Sequence, residues 1–443
     1  MSWAQQELAT IDLDDARLNR RACLLLERWA QNPEGSIPQA SQGWDEVQAA
    51  YRFFDNVKVD CEGVLAPHRA CTLERIKQHS VVLNIQDTTE LNFNGQNIAG
   101  LGPLNHESQR GMLLHPTYAI TPDRLPLGII DYWSWAREFK DETGYRGGEN
   151  ESLRWVEGYA RVAQRALETP ETRQVYIADR ESDILPVLRK AQELEYAADF
   201  LIRCKYNRSL PEGKKLWEVA DSSTVMGKVS FMLPRGRNRK ARKIQQEIRV
   251  SRIVIPDKQR GILEVSCIVA SEVNVPVGVK PVLWRLLSNR LVSNLSEAVE
   301  LVEWYRARWE VEMFFLILKE GCAVEKLQLD SRNKVETALV LYMIVSWRIN
   351  YLMRVGRELP DLPADILFHR DEWHAAYILN EKHPPSSLPS ANEVLRLIAQ
   401  IGGFIGRKGD GEPGVKTIWK GLQQMSIFIA GMQYMRKMQS EAP

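Results

Sequence analysis

The sequence predicts an α/β fold with helical segments at both ends and a β-rich insertion in its second half. Short β-branched runs at 81–85, 127–133 and 174–178 alternate with longer amphipathic segments, a pattern typical of a sheet covered by helices. Residues 201–289 are instead mostly alternating and β-branched. The chain has 443 residues, and 44% of them are hydrophobic, so it has material for several packed domains.

Helical patterns flank this α/β region on both sides. Residues 12–79 read as helices, the first capped by Asp12 or Asp14. A single long helix is predicted over 294–321, and a last amphipathic helix over 417–438. We therefore divide the chain into an N-terminal helical domain, a central α/β domain and a C-terminal helical domain, at 1–70, 71–370 and 371–443.

The net charge is close to zero, but the charges are unevenly distributed. There are 58 Lys and Arg against 57 Asp and Glu, a formal charge of +1. Residues 201–252 hold 14 basic and 4 acidic groups and include the run RGRNRKARK at 235–243, so the remainder of the chain is acidic. Phosphate contacts need basic surface, so the net charge of the whole chain argues against nucleic-acid binding. The basic block at 201–252 instead favours a contact with nucleic acid that is confined to this segment.

The composition argues against several other classes of protein. The N-terminus has neither a basic n-region nor an apolar h-region, so we expect no secretory signal. The longest apolar run, 338–347, is too short to span a bilayer and fits a buried core helix. The 6 cysteines form no C-x-x-C pair and the 7 histidines show no metal-ligand spacing, so carboxylates must hold any metal. We expect a cytoplasmic protein without a membrane partner.

Two aspartates directly follow short apolar runs. Asp87 comes after VVLNIQ and Asp179 after VYIA. An aspartate at the carboxyl end of a buried strand lies at the sheet edge, where ligands commonly bind. An ordinary turn or helix-cap aspartate is the alternative for either residue alone.

The predicted long helix supplies a third acid. Tyr305, Arg308, Glu312 and Lys319 lie at offsets of 0, 3, 7 and 14, which fall within a sector of about 60° on a helix. The other faces of this helix are so apolar that they must be buried, and the polar stripe then needs partners inside the protein. A ladder of helical salt bridges is the alternative.

Two strand-end aspartates and a helix glutamate match the ligands needed for two divalent cations about 3.5–4 Å apart. In such a site one ion activates a water or a 3′-hydroxyl, and the other stabilises the leaving oxygen. Mg²⁺ prefers carboxylate ligands, and Mn²⁺ is a substitute. We expect Asp87, Asp179 and Glu312 to be metal ligands and catalytic residues, with the other polar residues of the helix facing the phosphates.

These motifs resemble the bacterial DDE transposases of the IS-four family, which includes Tn-five. Residues 305–319 complete the family's Y-(2)-R-(3)-E-(6)-K signature. Asp87 in QDTTEL and Asp179 in ADRESDI match the family's first and second catalytic aspartates. Weaker similarity at 48–56 and 401–419 extends the resemblance over nearly the whole chain.

The resemblance implies an RNase H-like catalytic core interrupted by the β-rich insertion, with an N-terminal DNA-binding domain and a C-terminal dimerisation domain. It implies cut-and-paste transposition, in which Mg²⁺-dependent end cleavage through a hairpin precedes strand transfer. The implied partners are double-stranded DNA, at terminal inverted repeats and target, and a second copy of the chain in the synaptic complex. The implied location is the bacterial cytoplasm, at the nucleoid when DNA is bound.

The resemblance also assigns DNA contacts outside the Tyr305–Arg308–Lys319 stripe. Trp284 lies where the family stacks an extruded base, although a lone tryptophan in a β segment also fits a core position. Arg203 matches a family arginine that contacts DNA near the active site, with Lys205 beside it. Arg17 and Arg21 align with arginines that recognise the transposon end.

Two other functions stay open on the sequence alone. A non-catalytic regulator or inhibitor derived from the same element binds end DNA without cutting it. A stand-alone RNase H-like nuclease cuts without paired ends and joins no strands. The sequence also leaves open whether the last helix pairs two protomers or packs on its own catalytic domain.

Overall fold

One mixed β-sheet forms the centre of the protein. The computed structural model describes residues 2–233, 241–259 and 261–441. The first strands of the sheet are β1 Val81–Gln86, β2 Thr89–Asn92, β3 Gly102–Pro103, β4 Arg110–Ile120, β5 Pro126–Trp135, β6 Arg173–Ala178 and β7 Asp199–Arg203. β1, β6 and β7 run parallel, and β4 lies antiparallel to β1 and β5. The order β5–β4–β1–β6–β7 is that of an RNase H-like core, so the predicted α/β class is confirmed.

The N-terminal part is helical, as predicted. Its helices are α1 Trp3–Glu7, α2 Ala16–Gln31, α3 Ile37–Ala40, α4 Trp44–Phe54 and α5 Cys61–Ile76. The prediction that Asp12 or Asp14 caps α2 is wrong: Asp15 accepts the backbone N–H of Arg17, whereas Asp14 has a left-handed backbone with φ of 54°. Trp29 of α2 stacks on Tyr342 with ring centroids 4.2 Å apart, which anchors this part to the core.

The two faces of the sheet are covered by different helices. α6 Leu153–Glu168 and α7 Leu185–Glu193 cover one face, where Tyr159 packs edge-to-face on Tyr176 of β6. Alternate residues of the same strands, such as Ile177, point to the other face and join the larger hydrophobic core. This alternation buries both faces of β1 and β6, which explains why apolar residues predominate in these strands instead of alternating with exposed polar ones.

The β-rich insertion extends the same sheet rather than forming a separate one. It contains α8 Leu216–Ser222 and the strands β8 Val225–Leu233, β9 Arg242–Asp257, β10 Gly261–Val273 and β11 Leu283–Ser288. β11 pairs antiparallel with β7, where Leu286 lies opposite Arg203. Residues 201–203, counted with the insertion in the sequence analysis, thus belong to the last strand of the core. Residues 235–240 of the basic run lie outside the described residues.

The single helix predicted over 294–321 is interrupted. It consists of α9 Leu295–Ala307, α10 Glu310–Leu316 and a π-helical turn at Ile317–Gly321. Its predicted start at 294 is correct, because Asn294 is the N-cap and accepts the backbone N–H of Glu297. The α-helical hydrogen-bond pattern is interrupted at Arg308 and Trp309, although both keep helical backbone angles. One-turn π segments in helices occur frequently at functional sites.

The remaining helices pack around one central helix. They are α11 Arg332–Glu358, α12 Arg370–Ile378, α13 Ala391–Ile401 and α14 Val415–Glu441. α11 is long and apolar enough to cross a membrane, but 83% of its most apolar window is buried inside the protein. The run 338–347 is fully buried within α11, as predicted for a core helix.

A buried charge cluster ties α1 to α5 and the sheet. His68 donates from Nδ1 to Glu7 at 2.6 Å, and Arg75 donates to both oxygens of Glu7 at 2.8 and 3.0 Å. Nε2 of His68 accepts the backbone N–H of Ile129 at 3.0 Å, which fixes the imidazole proton on Nδ1. Burial favours the neutral acid, but His68 and then Arg75 outweigh burial and lower the pKa of Glu7 to about 2.

We predict that Glu7→Gln lowers the free energy of unfolding at pH 7 by roughly 2 kcal/mol, because the half-buried Arg75 loses its ionic partner. The folded-state pKa lies below the usual value of 4.5, so the contribution of this carboxylate is complete above that pH and is lost as the pH falls towards 2. Chemical denaturation at pH 7 and pH 3 measures the difference.

The matched control is Glu74→Gln. This change removes the acid of an exposed ion pair with Lys77 at the end of α5, the helix that carries Arg75. We expect little change in that variant. A loss of stability for Glu7→Gln that is equal at both pH values would contradict the proposed ionic contribution.

Candidate active site

Strand register brings the two predicted aspartates together. Gln86, the last residue of β1, lies directly opposite Ala178, the last residue of β6. Asp87 and Asp179 are the next residues along the two parallel strands, so their side chains leave the sheet at the same edge. The side chains are partly exposed, 22% for Asp87 and 32% for Asp179, and are therefore accessible to a ligand.

The guanidinium of Arg308 lies between the two aspartates. It donates from Nη1 to Oδ2 of Asp87 at 2.6 Å, and its Nη2 lies 3.8 Å from Oδ2 of Asp179. Tyr305 donates its hydroxyl to Oδ1 of Asp179 at 3.1 Å, and Nη1 of Arg203 lies 3.7 Å from the same oxygen. The polar stripe of the helix thus has partners inside the protein, rather than only a ladder of its own salt bridges.

Glu312 lies one turn beyond Arg308 and is exposed. Burial is the main cause that raises the pKa of Asp87; Arg308 opposes it, and the negative charges of Glu312 and Asp179 raise the pKa further. The three carboxylates therefore lie within electrostatic reach of one another.

This donor set fits a divalent cation. Mutually repelling carboxylate oxygens are ligands that Mg²⁺ and Mn²⁺ accept, and a cation would relieve their repulsion. Within the described ranges, no group of three or more His, Cys, Asp or Glu encloses a metal position. The guanidinium of Arg308 lies between the aspartates instead.

Lys319 lies in the π-helical turn and contacts neither aspartate. Its Nζ donates to the backbone carbonyl of Glu90, three residues after Asp87, at 2.7 Å and lies 3.4 Å from Glu325. Ideal α-helical spacing does not hold across the interruption at Arg308 and the π turn, so it does not fix the direction of Lys319 relative to Tyr305 and Arg308. Lys319 thus connects the end of the helix to β2.

Trp284 of β11 is packed between aromatic neighbours. It lies edge-to-face on Tyr305 with centroids 5.7 Å apart and stacks on Phe231 at 6.0 Å. Only 8% of its surface is exposed, which agrees with the core alternative. It nevertheless lines a cavity together with Arg203. Trp284 can therefore pack against its aromatic neighbours and still contact a ligand in this cavity.

That cavity is basic and aromatic, and its lining includes Arg180, the residue after Asp179. It measures about 870 Å³. Its charged and aromatic lining comprises Arg180, Arg203, Lys205, Trp217, Arg242, Lys280, Trp284, Arg285 and Trp309. Of these residues, Arg180 and Trp309 have no role in the predictions made from the sequence. Their positions directly after Asp179 and Arg308 are the sequence signal that points to them.

The second aspartate of the ADRESDI motif has a different position from the first. Asp183 is fully buried, and one of its oxygens accepts the backbone N–H groups of Lys205 and Tyr206 at 2.6 and 3.0 Å. Arg208 pairs with it at 2.6 Å. Asp183 therefore fixes the segment after β7, and with it the backbone of Lys205 at the cavity.

Much of the positive charge in the basic block is paired locally. The ion pairs of this block and its surroundings are Arg203–Asp179, Arg208–Asp183, Lys228–Glu247, Arg242–Glu272, Arg249–Glu247 and Arg252–Glu264. Several of these acids belong to the insertion itself. The excess of basic over acidic residues in this block is therefore larger than the number of basic side chains without an acidic partner.

Arg17 and Arg21 lie one turn apart on α2, away from the aspartate pair. Arg17 is exposed and pairs with Asp15 at 3.0 Å, whereas Arg21 is half-buried. α2 packs through its apolar side, including Trp29, on the central helix α11. Both arginines thus lie on α2, whereas Asp87 and Asp179 follow β1 and β6.

Family models of three transposase domains match the chain. The transposase DNA-binding model matches residues 1–59, the transposase DDE domain model residues 156–348, and the transposase Tn5 dimerisation domain model residues 344–442. Asp179 and Glu312 fall inside the DDE match, whereas Asp87 precedes it. These matches show that the chain binds DNA, forms a homodimer and depends on a divalent metal ion.

Among solved structures, the chain is similar to the cryo-EM structure of the piggyBac transposase synaptic complex with hairpin DNA. The two share 10% sequence identity, the match covers 99% of this chain and 78% of that chain, and the TM-score is 0.38. A TM-score this low reflects a loose likeness of fold, so the family assignment comes from the domain models and the signature residues. The chain belongs to the Tn5-like DDE transposases of the IS-four family.

Proposed function

We propose that the protein moves an insertion sequence by cut-and-paste transposition, with Asp87, Asp179 and Glu312 as the catalytic residues and the ligands of two Mg²⁺ ions. The observation that carries the proposal is the convergence of the two strand-end aspartates on Arg308, with Glu312 one turn away. When bound, paired metal ions supply Lewis-acid stabilisation of the attacking and leaving oxygens in an in-line displacement.

The other residues of the site bind and orient the DNA backbone. A guanidinium donates several hydrogen bonds in a fixed plane, which suits phosphate oxygens, so Arg308 and Arg203 are placed to bind phosphates next to the carboxylates. The hydroxyl of Tyr305 orients Asp179. Lys205 and Lys319 add positive charge for phosphates farther along the bound DNA strand.

Hairpin formation requires an extruded base, and aromatic stacking is the usual way to hold one. Trp284 serves this role in the proposal. Its support is the basic cavity that it lines and its contact with Tyr305, which links the stacking surface directly to Asp179.

Arg17 and Arg21 on α2 would contact the terminal inverted repeat, within the part matched by the DNA-binding model. This places end recognition on the surface of α2, separate from the catalytic carboxylates. The proposed setting is the bacterial cytoplasm, at the nucleoid.

The last helix combines intramolecular packing with a free surface. In the first half of α14, Ile418, Trp419 and Met425 are buried against the rest of the chain. In the part of α14 from Ile427 onwards, which we call its second half, apolar side chains such as Ile427 and Tyr434 are exposed. We propose that this exposed second half contacts the other protomer, within the region that the dimerisation model matches.

We predict that Asp87→Ala, Asp179→Ala and Glu312→Ala each abolish cleavage of transposon-end DNA in Mg²⁺, because each removes a metal ligand. End binding, measured by gel shift in Ca²⁺, should stay within about threefold of the wild type, since specific contacts lie elsewhere. The control is Glu300→Ala, which removes an exposed acid of α9 paired with Arg290.

Three outcomes contradict this assignment in different ways. Near-normal cleavage by any of the three variants would show that its residue is not a ligand. Specific end binding by wild-type protein without cleavage would favour a regulator. Cutting of unpaired branched or RNA–DNA substrates without strand joining would favour a stand-alone nuclease.

We predict that Trp284→Ala slows hairpin formation roughly tenfold or more while slowing the first nick much less, because it removes the stacking surface for the extruded base. Single-turnover assays on end DNA resolve the two steps. The control is Trp217→Ala, which removes another aromatic residue of the same cavity. Equal slowing of both steps by Trp284→Ala would indicate a packing role alone.

We predict that Ile427→Asp combined with Tyr434→Asp weakens dimerisation on end DNA at least about tenfold, because it places charges on an apolar interface. Analytical ultracentrifugation of the DNA complex measures the change. Gln433→Asp, an exposed polar position on the same half of α14, is the control. A dimer unaffected by the double variant would place the interface elsewhere.

A further inference from the structure

A chain of buried hydrogen bonds brackets Asp87 on both sides. The residue before it, Gln86, and the residue after it, Thr88, both bond to the imidazole of His115 on β4. Oε1 of Gln86 lies 3.2 Å from Nε2 of His115, and Oγ1 of Thr88 lies 2.9 Å from Nδ1. His115 is fully buried and packs edge-to-face on Trp155 at 4.5 Å.

The amide of Gln86 gives this chain a single direction. Its Nε2 donates to Thr117 at 2.7 Å and its Oε1 can only accept, so Nε2 of His115 carries a proton and donates to it. In the neutral ring Nδ1 of His115 then accepts from Oγ1 of Thr88, which itself accepts from Nε of Arg154 at 3.1 Å. Burial, and then the charge of Arg154, lowers the pKa of His115, which agrees with a neutral ring.

The same arginine reaches the loop that follows Asp179. Nη2 of Arg154 donates to Glu181, two residues after Asp179, at 2.6 Å, and Nη1 donates to the backbone carbonyl of Glu151. The side chain of Arg154 is only 10% exposed and lies over the rings of Trp155 and Trp135, so its direction is fixed by packing.

A glycine lets α6 approach the sheet closely enough for these contacts. A Cβ added to Gly158, one turn after Arg154, would lie 2.1 Å from Oε1 of Gln86. The helix backbone therefore rests directly on the side chain that precedes Asp87, which fixes the height of Arg154 above the ends of β1 and β6.

We propose that Arg154, acting through Thr88 and His115 on one side and Glu181 on the other, is a positioning residue that sets the spacing of Asp87 and Asp179 for metal binding. None of these groups contacts the reacting atoms in this scheme. The inference rests on the proposed function, because it takes the two aspartates as metal ligands. Partners that orient such ligands typically change metal affinity by about tenfold to a hundredfold when they are removed.

The test measures Mn²⁺ binding to the full-length protein on pre-cut end DNA, by electron paramagnetic resonance of the free ion. Thr88→Val removes the hydroxyl at nearly constant volume and interrupts the chain, whereas Thr88→Ser keeps it. We expect Thr88→Val to weaken Mn²⁺ binding roughly tenfold to a hundredfold and Thr88→Ser to stay within about twofold of the wild type. The Mg²⁺ concentration for half-maximal cleavage should shift by a similar factor.

The matched control is Thr89→Val, which changes the neighbouring threonine, whose hydroxyl faces the backbone carbonyl of Glu90 at 3.5 Å. Arg154→Lys is the second variant, because an ammonium cannot bond in the plane that joins Thr88 to Glu181. Thermal unfolding identifies any variant that fails to fold, and the other variant then decides. Mn²⁺ affinity in Thr88→Val equal to that in Thr88→Ser or Thr89→Val would overturn the proposal, as would wild-type affinity in Arg154→Lys.

Asp87→Asn and Asp179→Asn separate this inference from the function on which it rests. Wild-type Mn²⁺ affinity in both would refute the metal-ligand assignment itself. Loss of affinity in both, together with unchanged affinity in Thr88→Val and Arg154→Lys, would refute only the positioning role.

Discussion

The parallel register of β1 and β6 brings the carboxylates of Asp87 and Asp179 to the same edge of the sheet. Two negative charges so close together repel each other, and the neighbouring side chains compensate for this repulsion. Arg308 does so by lying between Asp87 and Asp179. Burial alone would lower the pKa of Arg308, but Tyr305 and then the neighbouring acids outweigh burial and raise it, so the guanidinium stays charged. A buried charge is stable only with such partners, and therefore the position of α9 and the geometry of the two strand ends depend on each other.

The helix that carries the signature is not continuous. A straight helix would keep Tyr305, Arg308, Glu312 and Lys319 on one stripe. Here Tyr305 and Arg308 contact the aspartates, whereas Lys319, in the π turn, donates to the backbone carbonyl of Glu90 in β2. The four signature residues thus divide between the carboxylate site and the support beside it.

The way the insertion joins the core decides how its charge can act. β11 pairs with β7, so the insertion continues the central sheet and its cavity opens beside Arg203. Many basic residues of this block already have acidic partners, which lowers the long-range potential that its net charge suggests. Contact with DNA near the active site then depends on a few residues at the cavity rather than on the charge of the whole insertion.

The sequence by itself determined the features that local pattern encodes. Continuous apolar runs predicted β1 and β6 with an aspartate after each, the apolar helix with polar spacing predicted buried partners for Tyr305 and Arg308, and the α/β class followed from the alternation of elements. The tertiary structure decided which strands are neighbours, where the long helix breaks, which acids neutralise the basic block, and that Arg154 joins the segments after Asp87 and Asp179. These features depend on contacts between residues far apart in the chain, such as the 66 positions between Thr88 and Arg154. Short-range periodicity carries no information about such contacts, because sheet order and register are set by packing of the whole core.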